Sequence, residues 1–404
     1  MPTLRPFAVS LMLQPSIYRL RLQDILTVCV LGLLCLGILM VQSAAMNITG
    51  QIGWHWNERG TKHLIFVAVA LVTFFVVGHL DYRTLLGGPR SASGVSWKSP
   101  VLWMFSIALL TCILVLIPHV GLAVKGARRW LPLGFTQVQP SELAKWAVVL
   151  FLAWFLHKCS GEVSFIKLLL ALIPVAAICL LVVIEDFGTA ILIALCAVTI
   201  LIAGRVKLWH LALIAPIAIA AGLWFMMHKS YRMTRMMSFR DPFASPEREG
   251  YHMIQSLLSF STGGVFGAGL GRGVQKLGYL PEDTTDFIFA VICEELGVFG
   301  AILTIALYLG ILYVAWQAIR QRKDGFGQLL AFGIGAMITL QALINIAVAT
   351  VSVPPKGMSL PLVSAGGSGL VITSAALGLL YSVCRARPDE SLQEQPVGNV
   401  AVAV

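Results

Sequence analysis

The sequence predicts an all-α polytopic membrane protein, with about ten transmembrane helices and one long extracytoplasmic loop. Three observations predict it. Hydrophobic residues make up 58% of the 404-residue chain and charged residues only 12%, whereas a soluble domain carries about 25% charged residues. The mean hydropathy is +0.85. The apolar residues gather into runs near the length of about 20 residues that a spanning helix requires.

Taken in order, residues 1–24 are basic, and their apolar stretch is short and broken by Pro15. They read as a retained cytoplasmic extension, not a cleaved signal. The apolar runs follow at 25–46, 63–80, 101–118, 142–156, 167–184, 187–203, 208–227, 298–319, 328–350 and 366–384, giving one transmembrane domain over 25–384. The fourth run is short for a span and carries Glu142 and Lys145 at its start. Only "EDFG" separates the fifth from the sixth, so these two form a tight hairpin. The long connection is 228–285, and a structureless loop of that length is unusual. Its stretch "GGVFGAGLGRG" (263–273) lacks the strand–helix setting of a dinucleotide site. It is either a flexible turn or a backbone that packs closely or offers N–H groups to an anion. The tail 385–404 is polar, then small and apolar, the composition of a disordered cytoplasmic segment.

The net charge is +10. On a soluble protein that would suggest nucleic acid. On this chain the positive-inside rule and anionic lipids account for it, and no nucleic-acid partner is implied. With both ends cytoplasmic, Arg83, Arg90, Lys98, Lys158, Lys167, Arg205, Lys207, Arg320, Arg322 and Lys323 fall inside. The exceptions are informative. Lys125, Arg128 and Arg129 fall in the outer loop 119–141, and Lys356 in the last outer loop. Lys229, Arg232, Arg235, Arg240, Arg248, Arg272 and Lys276 fall in 228–285. Long loops are exempt from the charge rule; the other two are not. Positive charge exported against the rule suits an anion held on the outer face. The eight cysteines show no C-x-x-C and the eight histidines no H-x-x-x-H. Neither a disulfide framework nor a His/Cys metal site is indicated, and there is no G-x-S-x-G elbow.

Acid is concentrated in "LPEDTTDFIFAVICEELG" (280–297), which holds Glu282, Asp283, Asp286, Glu294 and Glu295. Helix capping by Asp283, Thr284 or Thr285 accounts for one or two of these. It does not explain why Asp286 is followed directly by Phe287, Ile288 and Phe289. A carboxylate at the lip of an apolar helix is costly to desolvate and is a candidate general base. On a helix, Asp286, Ala290, Glu294 and Gly297 share one face. Glu142 and Lys145 are three apart, a pairing distance, with Ser141 as N-cap. They read either as a structural ion pair or as a lysine facing a substrate cavity that Glu142 orients. Glu185 and Asp186 read either as a tight turn with Gly188 and Thr189 or as carboxylates lining an outer cavity or binding a cation. "SVPPKGMSLPLVSAGGSG" (352–369) is a rigid loop whose single charge is Lys356, a candidate anion contact.

Five segments in this order resemble the FtsW/RodA/SpoVE (SEDS) family of membrane glycosyltransferases. They are "KGARRWLPLGFTQVQPSELAKW", "DFGTA", "YRMTRMMSFRDPF", "GYHMIQSLLSFSTGGVFGAGLGRGVQKLGYLPEDTTDFIFAVICEELG" and "PPKGMSLPLVSAGGSG". The resemblance implies ten spans in the bacterial cytoplasmic membrane and polymerisation of lipid II on its outer face during septal wall synthesis. A sugar 4-hydroxyl attacks the anomeric carbon of a MurNAc on undecaprenyl diphosphate, and a β-1,4 bond forms with inversion. It implies Asp286, in "TDF", as the catalytic residue that takes the hydroxyl proton. Positive charge for the departing diphosphate is then expected from Arg128, Arg129, Lys145, Arg232, Arg235 and Lys356. Glu142, Glu185, Asp186 and Glu282 are expected in support. A divalent cation, Mg or Mn, is the cofactor such chemistry admits, and no organic cofactor is implied. Expected partners are lipid II, a class B penicillin-binding protein that supplies the transpeptidase, and other divisome or elongasome membrane proteins. Glu185, Thr284, Ala365 and Gly369 depart from the family's usual residues. Length, N-terminal extension and tail fit the FtsW branch better than the RodA branch. Two other functions stay open at this point: a flippase for the same lipid, which would use Glu142 and Lys145, and a non-catalytic division scaffold that docks partners on 228–285.

Overall fold

A computed structural model describes residues 21–44, 58–87, 99–124, 127–134, 136–159, 163–228, 230–247 and 250–386. The expected extension up to residue 20, the tail from 387, and Arg90, Lys98, Lys125, Lys229 and Arg248 lie outside them.

Each of the ten apolar runs carries a helix: α1 (Leu22–Ala44), α2 (Glu58–His79), α3 (Pro100–Leu116), α4 (Pro140–Lys158), α5 (Phe165–Glu185), α6 (Phe187–Ala203), α7 (Leu208–Met227), α10 (Ile288–Gln321), α11 (Gly325–Ala349) and α12 (Gly367–Arg385). Seven of these are long and apolar enough to cross a membrane by length and composition. α3 and α6 have 17 residues each, and α4 has 19 but carries Glu142, Lys145 and Lys158. The long connection is not structureless. It holds two further helices, α8 (Ser230–Arg240) and α9 (Tyr251–Gly263).

The helices divide by burial. α4 is hydrophobic on every side, and nearly all of it is buried, as a helix at the centre of a bundle must be. α3, α6, α11 and α12 pack around it. α7 is as apolar, yet none of its residues is buried. Its side chains face outward at the rim, where a bilayer would be the solvent.

One element departs from the all-α expectation. Between α3 and α4 lies a three-stranded antiparallel sheet in the order β1 (Leu122–Val124), β2 (Ala127–Leu133), β3 (Thr136–Val138). Leu131 pairs with Val138 and Leu133 with Thr136. Gly134 turns the chain between them at φ 65°. β1 and β3 have three residues each, too few to show a usable alternation in the sequence.

α10 is broken at Gly297, whose φ is 63° and ψ −154°. The half-helix before the break, from Ile288 to Glu295, is wholly buried. The break redirects hydrogen bonds. Val298 N–H donates to the Val265 carbonyl at 3.1 Å. The Glu294 and Glu295 carbonyls accept from Ala268 N–H at 2.8 Å and Gly269 N–H at 3.0 Å. The glycine-rich stretch is therefore the cap of a broken helix. A Cβ at Gly297 would collide with the Val265 carbonyl and Gly267 nitrogen, and φ in the left-handed region adds strain. Gly297→Ala is expected to destabilise the protein by about 1–3 kcal/mol from the backbone alone, lowering the midpoint of thermal unfolding in detergent. Gly222→Ala on α7, where a Cβ meets nothing within 4 Å, is the control and leaves the midpoint unchanged or raised.

Candidate active site

A cavity of about 760 Å³ opens at one end of the bundle, within the size range of small-molecule sites. Four helices begin at its wall. Gln139 is the N-cap of α4 and Thr189 lies in the first turn of α6. Phe287 is the N-cap of α10 and Gly366 that of α12. All four residues line the cavity. Each helix N-terminus carries roughly half a positive charge and unsatisfied N–H groups, so the convergence favours an anion.

Asp286 lines this cavity. It stands in a turn ahead of α10, not on the helix, so the expected shared face with Glu294 does not exist. Nor does a threonine or Asp283 cap α10; its N-cap position is Phe287, without a side-chain cap bond. The turn is held by its carbonyls. That of Thr284 accepts from Ala365 N–H at 2.9 Å. That of Thr285 accepts from Ser364 Oγ at 2.6 Å, and that of Asp286 from Asn345 Nδ2 at 2.8 Å. Three consecutive backbone anchors fix this turn at the cavity wall. A Cβ on Gly357 would lie 3.0 Å from Asp286 Oδ2 and 4.0 Å from Arg129 Nη1. Carboxylate and guanidinium thus flank the same glycine. Glu282, at φ 58°, accepts from Thr285 Oγ1 at 2.9 Å and also lines the wall.

Eight of the eleven expected site residues line the cavity: Asp286, Arg129, Lys145, Arg235, Lys356, Glu142, Glu185 and Glu282. Three do not. On β2 successive side chains point to opposite faces, so Arg129 reaches the cavity and Arg128 does not line it. Arg128 contributes its N–H to Glu185 Oε2 at 2.9 Å. Arg232 donates to the Phe225 carbonyl at 2.8 Å and the Val183 carbonyl at 3.0 Å, a cation on the last turns of α7 and α5. Asp186 caps α6, accepting from Thr189 N–H at 3.1 Å and Thr189 Oγ1 at 2.8 Å. Of its two readings, the turn with Thr189 is the one these hydrogen bonds describe.

Lys145 is 1% exposed and pairs with Glu142 Oε1 at 2.8 Å. It also donates to Gln341 Oε1 at 2.7 Å, and Gln341 Nε2 donates to the Ser359 carbonyl at 2.8 Å. The N-cap of α4 is Gln139, with Pro140 at the first helical position, so Ser141 lies inside the helix and is not the cap. Glu142 packs on Gly369, where a Cβ would sit 3.0 Å from Oε2. The two readings of this pair merge: it is a buried ion pair, and it is part of the cavity wall.

Sequence reasoning passed over Gln139, His252, Gln341 and Asn345. His252 lines the cavity and stacks on Phe287 at 6.1 Å between ring centres. A signal existed for two of them. Gln341 and Asn345 are polar residues four apart in the apolar run 328–350, hence on one helix face.

These features define a multi-pass membrane protein whose cavity is walled by helix N-termini, four cations and four carboxylates, Asp286 among them. The chain belongs to the FtsW/RodA/SpoVE family, described as cell cycle protein, whose match spans residues 23–388. It is similar to a protein of Coxiella burnetii named probable peptidoglycan glycosyltransferase FtsW, 35% identical over 89% of this chain and 95% of that one. A protein of the same name from Nitrosococcus halophilus is 38% identical over 92% of each chain. Among solved structures, a chain from a study of polymerization and crosslinking by a peptidoglycan synthase complex aligns with TM-score 0.67 and 26% identity. That alignment covers 89% of this chain and 96% of that one. The rod shape determining protein RodA of Thermus thermophilus aligns with TM-score 0.62 and 25% identity, covering 89% and 95%.

Two expectations follow from the wall. Lys145→Met leaves Glu142 buried without its cation, which costs about 3–5 kcal/mol. Thermal unfolding of the purified variant measures it, and a double Glu142→Gln/Lys145→Met variant recovers part of the loss. Burial pulls the Lys356 ammonium below its ordinary 10.5, against the opposing pull of Asp186. An anion binds the protonated form. Affinity for an anion of constant charge such as sulfate is therefore expected to fall as pH rises through that lowered value, with the break below 10.5. Lys356→Arg, charged throughout, removes the break in a calorimetric pH series.

Proposed function

We propose that this chain is a peptidoglycan glycosyltransferase that polymerises lipid II by β-1,4 transfer, releasing undecaprenyl diphosphate, on the outer face of the cytoplasmic membrane. The observation that carries the reading is the carboxylate of Asp286 at the wall of a cavity beside Arg129, Arg235 and Lys356. Names of relatives as peptidoglycan glycosyltransferases support it.

Asp286 takes the proton from the attacking 4-hydroxyl as the new bond forms. Its backbone is anchored on three successive carbonyls, so little reorganisation accompanies the step. Negative charge grows on the departing diphosphate. Arg129, Arg235, Lys356 and the helix N-termini meet that charge in a partly enclosed site, where such interactions are stronger than in water. Lys145, fixed by Glu142 and Gln341, adds a cation whose direction is set. A divalent cation would need donors that converge. Among the described residues no three of His, Cys, Asp and Glu converge, so Mg or Mn would be held by one or two wall carboxylates such as Asp286 or Glu185 together with the substrate's phosphates. With both termini cytoplasmic the cavity faces outward, where a class B penicillin-binding protein would crosslink the product.

The test is lipid II polymerisation by the purified protein with a class B penicillin-binding partner, comparing wild type with Asp286→Asn. Glycan chains from wild type are expected, with a loss of about 10²-fold or more in the variant. Polymer at the wild-type rate from Asp286→Asn sinks the base assignment. No polymer from either, with transbilayer movement of lipid intact, points to a flippase.

A further inference from the structure

We infer that the buried ion pair between Lys276 and Glu295 is a clasp that positions Asp286. The inference rests on the base assignment above. Neither residue lines the cavity. Lys276 Nζ donates to Glu295 Oε1 at 2.6 Å, with side-chain exposures of 1% and 0%. It donates also to Ser43 Oγ on α1 at 2.8 Å, and Ser43 donates in turn to the Glu295 carboxylate at 2.7 Å. Gly271 N–H donates to Glu295 Oε2 at 3.1 Å. Beside it Glu294 Oε1 accepts from Val274 N–H at 2.7 Å and Gln275 N–H at 3.2 Å.

The topology gives this cluster its meaning. The ion pair closes the segment 276–295 into a ring, and Asp286 stands near its middle. From Lys276 the chain runs through Leu280 and Glu282 to Asp286, then returns along the buried half-helix of α10 to Glu295. The turn end of that half-helix is tied to α11 and the 352–366 loop through the carbonyls of Thr284, Thr285 and Asp286. Its other end stops at the Gly297 break, so no continuous hydrogen-bond ladder ties it to the rest of α10. Apolar packing of Ile288 to Cys293 resists withdrawal of the half-helix but is non-directional and tolerates rotation. The clasp is directional, and a small slip of the half-helix would break several of its bonds together. A buried pair is a poor source of net stability, since desolvation costs several kcal/mol per ion. Its use here is geometric: it sets the register of the half-helix, and with it the place of the carboxylate. Lys276 and Glu295 are positioning residues, not catalytic ones.

The test uses the full chain with its penicillin-binding partner and lipid II. Lys276→Met and Glu295→Gln are expected to lower kcat about tenfold or more, with KM for lipid II held within about twofold. Lys276→Arg restores most of the rate. A second measurement is independent of turnover. In an Asp286→Asn background, hydrogen exchange at amides 284–290 is expected to quicken when Lys276→Met is added. Unchanged kcat, or a raised KM with kcat intact, overturns the clasp. So does faster exchange confined to 268–278. Where Lys276→Met fails to fold, Glu295→Gln, which keeps the side chain's shape but removes its charge, carries the measurement. An active Asp286→Asn sinks the base assignment. An inactive Asp286→Asn beside a fully active Lys276→Met sinks the clasp alone.

Discussion

The break at Gly297 is the constraint on which the candidate site depends. A continuous α10 would bury its carbonyls in its own ladder and leave the glycine-rich stretch nothing to cap. Broken, it exposes the Glu294 and Glu295 carbonyls to Ala268 and Gly269 and frees the preceding half-helix to lie on its own axis. That half-helix is buried along its whole length. Its N-terminal turn then sits against α11 and the loop before α12, where Asn345, Ser364 and Ala365 take its carbonyls. Unpaired backbone groups away from water are costly, so each of these bonds is required once the break is made. Asp286 stands where it does because its neighbours' backbones have nowhere else to go.

Electrostatics in an apolar bundle follows the same economy. Charges inside it persist only when paired or hydrogen-bonded. Among the described residues, Lys145 pairs with Glu142 and Lys276 with Glu295 in the interior. Arg232 is spent on carbonyls at the ends of α5 and α7, and the Arg129 Nε and Nη2 on the Glu185 carbonyl. Arg129, Arg235, Lys356, Lys145 and four helix N-termini line the cavity. The cations of these segments therefore divide between those bonded to helix ends and buried carboxylates and those that line the cavity.

Much of this was legible in the chain. Ten apolar runs became ten helices because hydrophobic length is a local property, counted along the sequence. Asp286 was legible because an acid against Phe287, Ile288 and Phe289 is costly wherever the chain goes. The Glu142–Lys145 pair was legible because a spacing of three is read within one helix turn. The FtsW/RodA/SpoVE resemblance rested on such local strings, and the family match covers them. Less local readings fared worse. Arg128 and Arg129 are adjacent and alike in sequence, yet a strand sends them to opposite faces. Ser141 looked like a cap, but Pro140 moved the start of α4 ahead of it.

By itself, then, the sequence determined the membrane class, the helices and the candidate acid at their edge. Each follows from composition or from spacing within a few residues. Only the tertiary structure decided which cations meet the cavity, that Gln341 and Asn345 serve its wall, and that Glu294 and Glu295 turn away from Asp286 to bind the glycine-rich loop. The reason is physical. These choices depend on partners as far apart in the chain as Ser43 and Glu295 or Asp286 and Gly357, and on a left-handed residue at Gly297 that rotates everything beyond it.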